Sequence, residues 1–303
     1  MEHHLTTYIT HDTLISALGF GTQENLEAIR SYHSGITLQT DKRIADTPLL
    51  AATISQERLQ QQAETAGISA YPRMEQLFIL TINELIRQSG QTLEDKTCGL
   101  ILSTTKGNID LLARHTEHPD EAVFLWKMAE NIAGYFHAEE RVHVISNACI
   151  SGVSALIAGK RMIENGIYRR VIVAGGDLLS HFITSGFGSF RSLSSRPCRP
   201  YDSSRDGLNL GEASEPYCSV QKEQKNMLSF REEPSVTMPT TSPVLPERET
   251  DSISPSAKPC RKQGQPLRIS VLSMHMALLP YIMMKWNPKP SHWLIWNKCP
   301  SIV

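Results

Sequence analysis

The chain has 303 residues, enough for one large α/β domain or two ordinary domains. Its formal net charge of −1 creates no global field that favours nucleic acid or an anionic membrane. The longest apolar runs are shorter than the roughly 20 residues of a membrane span, and the first residues lack the basic and then apolar pattern of a secretory signal. We therefore expect a soluble cytoplasmic protein whose six cysteines are reduced.

The middle of the chain begins with a helix, a strand and a second helix. Met74 to Arg87 has helical periodicity and is followed by the stop signal Ser89-Gly90. The short apolar run Cys98 to Ser103 predicts a buried strand, and an amphipathic helix is predicted from Glu121 to Phe136.

The next segment has the order strand, helix, strand. Val142 to Ser146 predicts a strand, Ile150 to Glu164 a helix that ends before Asn165-Gly166, and Arg170 to Ala174 a second strand. Such a βαβ unit implies a parallel sheet that is buried on both faces.

The composition of the chain changes near residue 213. Residues 1–213 contain 17 of the 18 glycines but only five of the 17 prolines, and residues 214–303 contain twelve prolines and one glycine, Gly264. Folded domains use glycine at turns and helix ends, so this composition predicts that 214–303 does not fold. We therefore divide the chain into a folded domain, 1–213, and a disordered tail, 214–303.

One cysteine lies at the predicted turn from strand to helix, within Ser146-Asn-Ala-Cys-Ile-Ser-Gly152. The free N–H groups of a helix N-terminus favour the thiolate of Cys149 and can hold the oxyanion that forms when a thioester carbonyl is attacked. Ala148, Ser151 and Gly152 leave room for such a substrate. Taken alone, a single cysteine in an apolar βα unit is more often a structural core thiol.

Longer segments around this cysteine point to a family. ISNACISGVSALIAGKRMIENGIYRRVIVAGGD resembles the nucleophile segment of β-ketoacyl-[acyl-carrier-protein] synthases, and GFGSFRSLSSRPCRPYDSSRDGLNLGEA resembles their acyl-pocket loop and RPFDxxRDGFxxGEGA signature. The resemblance covers residues 5–213, weakly over the first hundred. It implies that Cys149 accepts the acyl chain and that Phe187 borders the acyl pocket. Arg205, Asp206 and Glu212 match the signature, where an architectural role is favoured over a chemical one.

The same resemblance implies a thiolase-like fold of the α/β class, dimeric through the half that carries the nucleophile. The first half, a mixed sheet with layered helices, is then largely complete here, and the second half is missing or disordered. The implied reaction is acyl transfer to Cys149 followed by decarboxylative Claisen condensation with malonyl-acyl-carrier protein, in fatty-acid or polyketide-type synthesis. The partner is acyl-carrier protein, which brings its own phosphopantetheine, and neither a metal nor another cofactor is implied.

Four other features invite a functional interpretation, but a structural role is favoured for each. His143 and His181 match no catalytic position of the family. Thr104 to Gly107 hints at a phosphate loop but lacks the GxxxxGK[ST] spacing. Cys198 lies within the signature segment and is expected to be a bystander.

The resemblance stops where the chemistry needs two histidines, in an HGTxT segment and an NHGS-like segment, because neither segment occurs in the chain. A change of reading frame explains this. When each codon's third base is read with the next two bases, Met274 to Asn287 permits AHGTATLYNDEME and Val236 to Asp251 permits NDANHISGPSRTGDG. The same offset permits an apolar strand over Glu215 to Ser219. We therefore hypothesise a frameshift near codon 214 that impairs condensation.

Three rival interpretations stay open. A thiolase or coenzyme A-primed synthase of the same fold is disfavoured by the CRPYDSSRDG segment. A non-catalytic, chain-length-determining partner of a synthase heterodimer is disfavoured because such partners usually lack the nucleophile that Cys149 provides here. A defective, partly unfolded gene product is the third.

Overall fold

The computed structural model describes residues 7–113, 120–138, 141–221 and 228–229. The helices are α1 (Thr22–Arg30), α2 (Gln56–Thr65), α3 (Arg73–Ser89), α4 (Leu125–Tyr135), α5 (Ser151–Glu164) and α6 (His181–Ser189). The strands are β1 (Thr7–Asp12), β2 (Ile15–Ser16), β3 (Gly19–Phe20), β4 (Thr37–Gln39), β5 (Leu49–Ala52), β6 (Cys98–Ser103), β7 (Val142–Ile145), β8 (Arg170–Asp177), β9 (Leu210–Gly211), β10 (Ala213–Gln221) and β11 (Leu228–Ser229). No described helix combines the length and the apolar character that crossing a bilayer requires.

The elements predicted from the sequence are present, with small shifts at their ends. Strand β6 coincides with the prediction, and α3 begins one residue earlier than predicted and runs to Ser89. Gly90 ends α3 in the left-handed region (φ 63°), a conformation that favours glycine. The helix predicted from Glu121 divides into a 3₁₀ turn and α4, which begins at Leu125.

The main sheet is mixed, with the strand order β11-β1-β10-β8-β6-β7, and β2 and β3 extend it beside β10. The predicted βαβ unit is confirmed: β7 and β8 both run parallel to β6, and α5 makes the crossover between them. Strand β10 pairs antiparallel with β8 and β1. A smaller sheet has the order β4-β5-β9.

Alternate residues of the central strands point into two separate cores. On one face, Leu100 and Leu102 of β6 pack with α3 and α4. On the other face, Ile101 packs with α5. Gly159 allows this close packing, because a Cβ there would lie 3.2 Å from a Val173 methyl group. Burial on both faces explains why β6 is a continuous apolar run.

Strand β10 runs across the predicted domain boundary after residue 213. Strand β10 continues to Gln221 and is paired with β8 from Ala213 to Val220, so residues 214–221 belong to the main sheet. Of the predicted tail, residues 222–227 and 230–303 lie outside the described residues.

Candidate active site

Cys149 lies in a short 3₁₀ turn between the end of β7 and the start of α5. The Ser151 hydroxyl pins this turn: it accepts from the Asn147 N–H at 2.8 Å and donates to the Ala148 carbonyl at 2.7 Å. Ala148 has a left-handed backbone (φ 45°), which is uncommon for a residue with a Cβ and is found at strained functional turns. The Cys149 side chain is thereby held on the exposed surface of the turn.

Exposure separates Cys149 from the other described cysteines, since Cys98, Cys198 and Cys218 are all buried. Burial raises the pKa of the Cys98 thiol to about 12 and also raises that of Cys218. The Cys98 and Cys218 thiols therefore remain protonated at neutral pH, and all three buried thiols are shielded from solvent. Cys149 is the thiol in the described part of the chain that an acyl donor can reach.

The carboxyl ends of the three parallel strands meet beside this turn. Thr104 and Thr105 follow β6, Ser146 follows β7, and Asp177 ends β8. Hydrogen bonds link all three ends: the Ser146 hydroxyl donates to the Thr105 carbonyl at 3.5 Å, and Asp177 Oδ1 accepts from Thr104 and Thr105. Ligands of open α/β sheets bind at this edge.

Phe187, the predicted acyl-pocket residue, is exposed on α6, which follows β8. Helix α6 is capped by Ser180, whose hydroxyl accepts from the Ile183 N–H. The ends of β7 and β8 are two strand spacings apart, about 10 Å. Cys149 and the helix of Phe187 therefore belong to the same edge of the sheet.

The three signature residues have different environments. Glu212 is fully buried, where it forms a bidentate ion pair with Arg73 at 2.7 Å and accepts from the Ile54 and Leu179 amides. Asp206 pairs with Arg196 at 2.9 Å. Arg205 is exposed and donates to a backbone carbonyl. The contacts of Glu212 join segments that are distant in the chain, whereas those of Asp206 and Arg205 are local.

His143 and His181 also have defined partners. His143 lies 3.3 Å from the Tyr168 hydroxyl. His181 Nε2 lies 2.9 Å from Asp46 Oδ2, and its Nδ1 lies 3.2 Å from the Ser185 hydroxyl. Asp46 is mostly exposed, so this contact is a solvated one at the surface.

Sequence reasoning missed Asp177, although a signal was present. The residue was read only as the last letter of AGGD, yet an acidic residue at the carboxyl end of a predicted parallel strand marks the ligand-binding edge of the sheet. Its hydrogen bonds to the loop after β6 are contacts between segments 72 and 73 residues apart.

Solved structures of ketosynthases share this architecture. The ketosynthase ApeO of Xenorhabdus doucetiae, solved in complex with its chain length factor ApeC, is 20% identical with a TM-score of 0.59, covering 75% of this chain and 61% of that one. A β-ketoacyl synthase from Burkholderia phymatum is 17% identical with a TM-score of 0.57, covering 72% and 59%. The fold is therefore the thiolase-like fold of ketosynthases.

Sequence comparison defines the family. Residues 15–214 match the family "Beta-ketoacyl synthase, N-terminal domain". The tetracenomycin polyketide synthase ketoacyl synthase alpha subunit of Streptomyces glaucescens is 26% identical over an alignment of 174 residues that covers 48% of this chain and 41% of that subunit. The chain belongs to the β-ketoacyl synthase family, and it spans about two fifths of the length of this curated relative.

Proposed function

We propose that Cys149 accepts an acyl chain from acyl-carrier protein, as the first step of ketosynthase chemistry in fatty-acid or polyketide-type synthesis. The observation that carries the proposal is the exposed thiol in a pinned, left-handed turn at the start of α5. The thiolase-type rival shares the fold, but the family that matches residues 15–214 favours a ketosynthase. The exposed nucleophile disfavours a non-catalytic partner subunit.

The chemistry of the first step follows from this turn. The Cys149 thiolate attacks the thioester carbonyl carbon, and the amides at the start of α5 stabilise the oxyanion of the tetrahedral intermediate. The bond from that carbon to the carrier's phosphopantetheine sulfur then breaks. The carrier leaves as a thiolate and takes a proton from water, and the acyl group remains on Cys149.

The second step would use malonyl-acyl-carrier protein. It requires loss of carbon dioxide and attack of the resulting carbanion on acyl-Cys149, with two histidines holding the malonyl thioester oxygen. Because the segments that carry these histidines are absent from the 303 residues, we propose that this chain stops at the acyl-enzyme. We also propose that the frame changes near codon 214, since the other frame permits both segments.

A dimer is part of the same proposal. Strand β7, which leads into the Cys149 turn, is the last strand of the main sheet in the described part of the chain. Its outer N–H and C=O groups are a template for pairing with another strand. We expect a second copy of this chain to dock there, which size-exclusion chromatography with light scattering will measure.

Acylation of Cys149 tests the proposal directly. The chain is incubated with acyl-loaded carrier protein, digested and mapped by mass spectrometry. We expect one acyl group on the Cys149 peptide, none on the Cys98 peptide, and none on a Cys149→Ser variant. Acylation that persists in Cys149→Ser, or an inert Cys149 in folded protein, rejects the assignment.

A further inference from the structure

Asp177 makes an unusual set of contacts for a carboxylate at the end of a strand. Its Oδ1 accepts from the Thr104 hydroxyl at 2.8 Å, the Thr105 N–H at 3.0 Å and the Thr105 hydroxyl at 3.0 Å. Burial raises the pKa of Asp177, against the opposing effect of these bonds and of one from the Lys106 backbone. Retaining a partly buried carboxylate here costs stability, and its contacts with the 104–107 loop indicate what the residue does.

The bonds hold the loop after β6 in one shape. The Thr104 hydroxyl, which donates to Asp177, also accepts from the Gly107 N–H at 3.0 Å, so a single chain of hydrogen bonds runs across the loop. Gly107 has a left-handed backbone (φ 55°), and a Cβ there would lie 2.7 Å from Leu125 of α4. The loop is thus fixed at both ends.

The 104–107 loop is hydrogen-bonded to the segment that leads into the Cys149 turn. The Thr105 carbonyl accepts a long hydrogen bond, 3.5 Å, from the exposed Ser146 hydroxyl, three residues before Cys149. Pairing of β6 with β7 ends at Ser103 and Ile145, so this hydrogen bond joins the segments that follow the two strands, just beyond their last paired residues. Movement of Thr105 would therefore be transmitted to the turn, whose amides must meet the oxyanion.

We propose that Asp177 is a positioning residue for acyl transfer: through Thr105 and Ser146 it holds the Cys149 turn in its oxyanion-stabilising geometry. This rests on the proposed function of Cys149. The role belongs to the hydrogen bonds on Oδ1 and not to the charge, so Asp177→Asn, which keeps an oxygen at Oδ1, preserves it and Asp177→Ala removes it.

Two reactions of Cys149 separate positioning from folding. Transfer from hexanoyl-N-acetylcysteamine needs the oxyanion geometry, whereas alkylation by iodoacetamide needs only an accessible thiolate. We expect Asp177→Ala to slow acylation about 10- to 100-fold, since small misplacements of reacting groups cost this much. Alkylation and its pH profile should stay within about 2-fold of the parent chain. Asp177→Asn should acylate within about 3-fold of the parent chain.

A matched control lies at the opposite edge of the sheet. Asp95 Oδ1 accepts from the Thr97 N–H and hydroxyl, both at 2.8 Å, just before β6 begins. Asp95→Ala loses similar bonds, and in addition an ion pair with Arg170, far from the turn. Acylation should nevertheless change less than about 2-fold. Alkylation of buried Cys98 reports whether any variant has unfolded. If Asp177→Ala has unfolded, Ser146→Ala is compared with the parent chain instead. This substitution alters an exposed side chain and should slow acylation about 3- to 10-fold.

The double variant Asp177→Ala/Ser146→Ala should be no slower than Asp177→Ala, because both act through one link. Normal acylation in both single variants overturns the positioning role and leaves Cys149 as the acyl acceptor. The positioning role is also overturned if Asp177→Asn is acylated as slowly as Asp177→Ala. It is overturned as well if the control Asp95→Ala is acylated as slowly as Asp177→Ala or Asp177→Asn. If the parent chain takes no acyl group, while Cys149 is alkylated, the proposed function itself fails.

Discussion

Strands β8 and β10 are neighbours in the same sheet, yet their sequences obey different rules. Strand β8 begins Arg-Val-Ile-Val-Ala, and residues 171–174 are all buried. Strand β10 reads Ala-Ser-Glu-Pro-Tyr-Cys-Ser-Val-Gln and places Glu215 opposite Gly175 and Pro216 opposite Ala174. Central strands rarely contain proline, which cannot donate to the ladder, or a carboxylate without a dedicated role.

The difference locates the point where the sequence stops matching its position in the fold. Up to Glu212 and Ala213, side chains and environment agree, as in the buried ion pair of Glu212 with Arg73. At Glu215 and Pro216 they conflict, because a carboxylate and a proline occupy central strand positions. This boundary is what the frame change proposed near codon 214 predicts, because the other frame permits apolar residues at these positions.

The largest effect is expected at Glu215. Its carboxylate accepts from the Tyr217 hydroxyl, but burial raises its pKa from 4.5 to about 7, and Asp12 adds to the shift. The full shift corresponds to about 3 kcal/mol, and since the side chain is partly exposed we expect about 2 kcal/mol. Glu215→Leu should raise the free energy of unfolding by that amount at pH 8.5 and by less at pH 5.

The sign follows from proton binding. The unfolded chain releases the Glu215 proton near pH 4.5 and the folded chain near 7, so wild-type stability falls as pH rises through this window. Urea unfolding at both pH values measures the slope. Glu75, whose pKa burial also raises to about 7, contributes equally to both proteins and cancels. Glu64→Leu, on the exposed face of α2, is the matched control and should leave the slope unchanged. If the free energy of unfolding of Glu215→Leu depends on pH as steeply as that of the parent chain, Glu215 is not in conflict with its position in the sheet.

A smaller effect is expected at Pro216. Pro216→Val supplies an N–H and a β-branched side chain to a buried strand position, which should add about 1 kcal/mol to the free energy of unfolding. Greater freedom of the unfolded chain offsets part of this gain. The reciprocal change in β8, Ala174→Pro, should destabilise strongly. If Pro216→Val lowers the free energy of unfolding as well, proline is adapted to its place in β10. The contrast drawn between β8 and β10 would then be wrong at this position.

The sequence predicted the βαβ unit because β6 and β8 are continuous apolar runs between clear stop signals. The same elements placed Cys149 at the turn from β7 to α5, and the family resemblance of the surrounding segment predicted its role as acyl acceptor. It could not reveal the left-handed Ala148 or the bonds from Asp177 to Thr105, because a backbone angle and contacts between distant segments leave no local pattern. The extension of β10 past residue 213 was not predicted, because the prediction for 214–303 used amino-acid composition, which does not report strand pairing.

Product analysis of two proteins tests the central claim most directly. The 303-residue chain and a frame-restored version are each given acyl-carrier and malonyl-carrier thioesters, and both the Cys149 peptide and the carrier-bound products are weighed by mass spectrometry. We predict acyl-Cys149 with no ketoacyl product for the chain as written, and ketoacyl product for the restored chain. Condensation by the 303-residue chain at the rate of the restored one would contradict the claim.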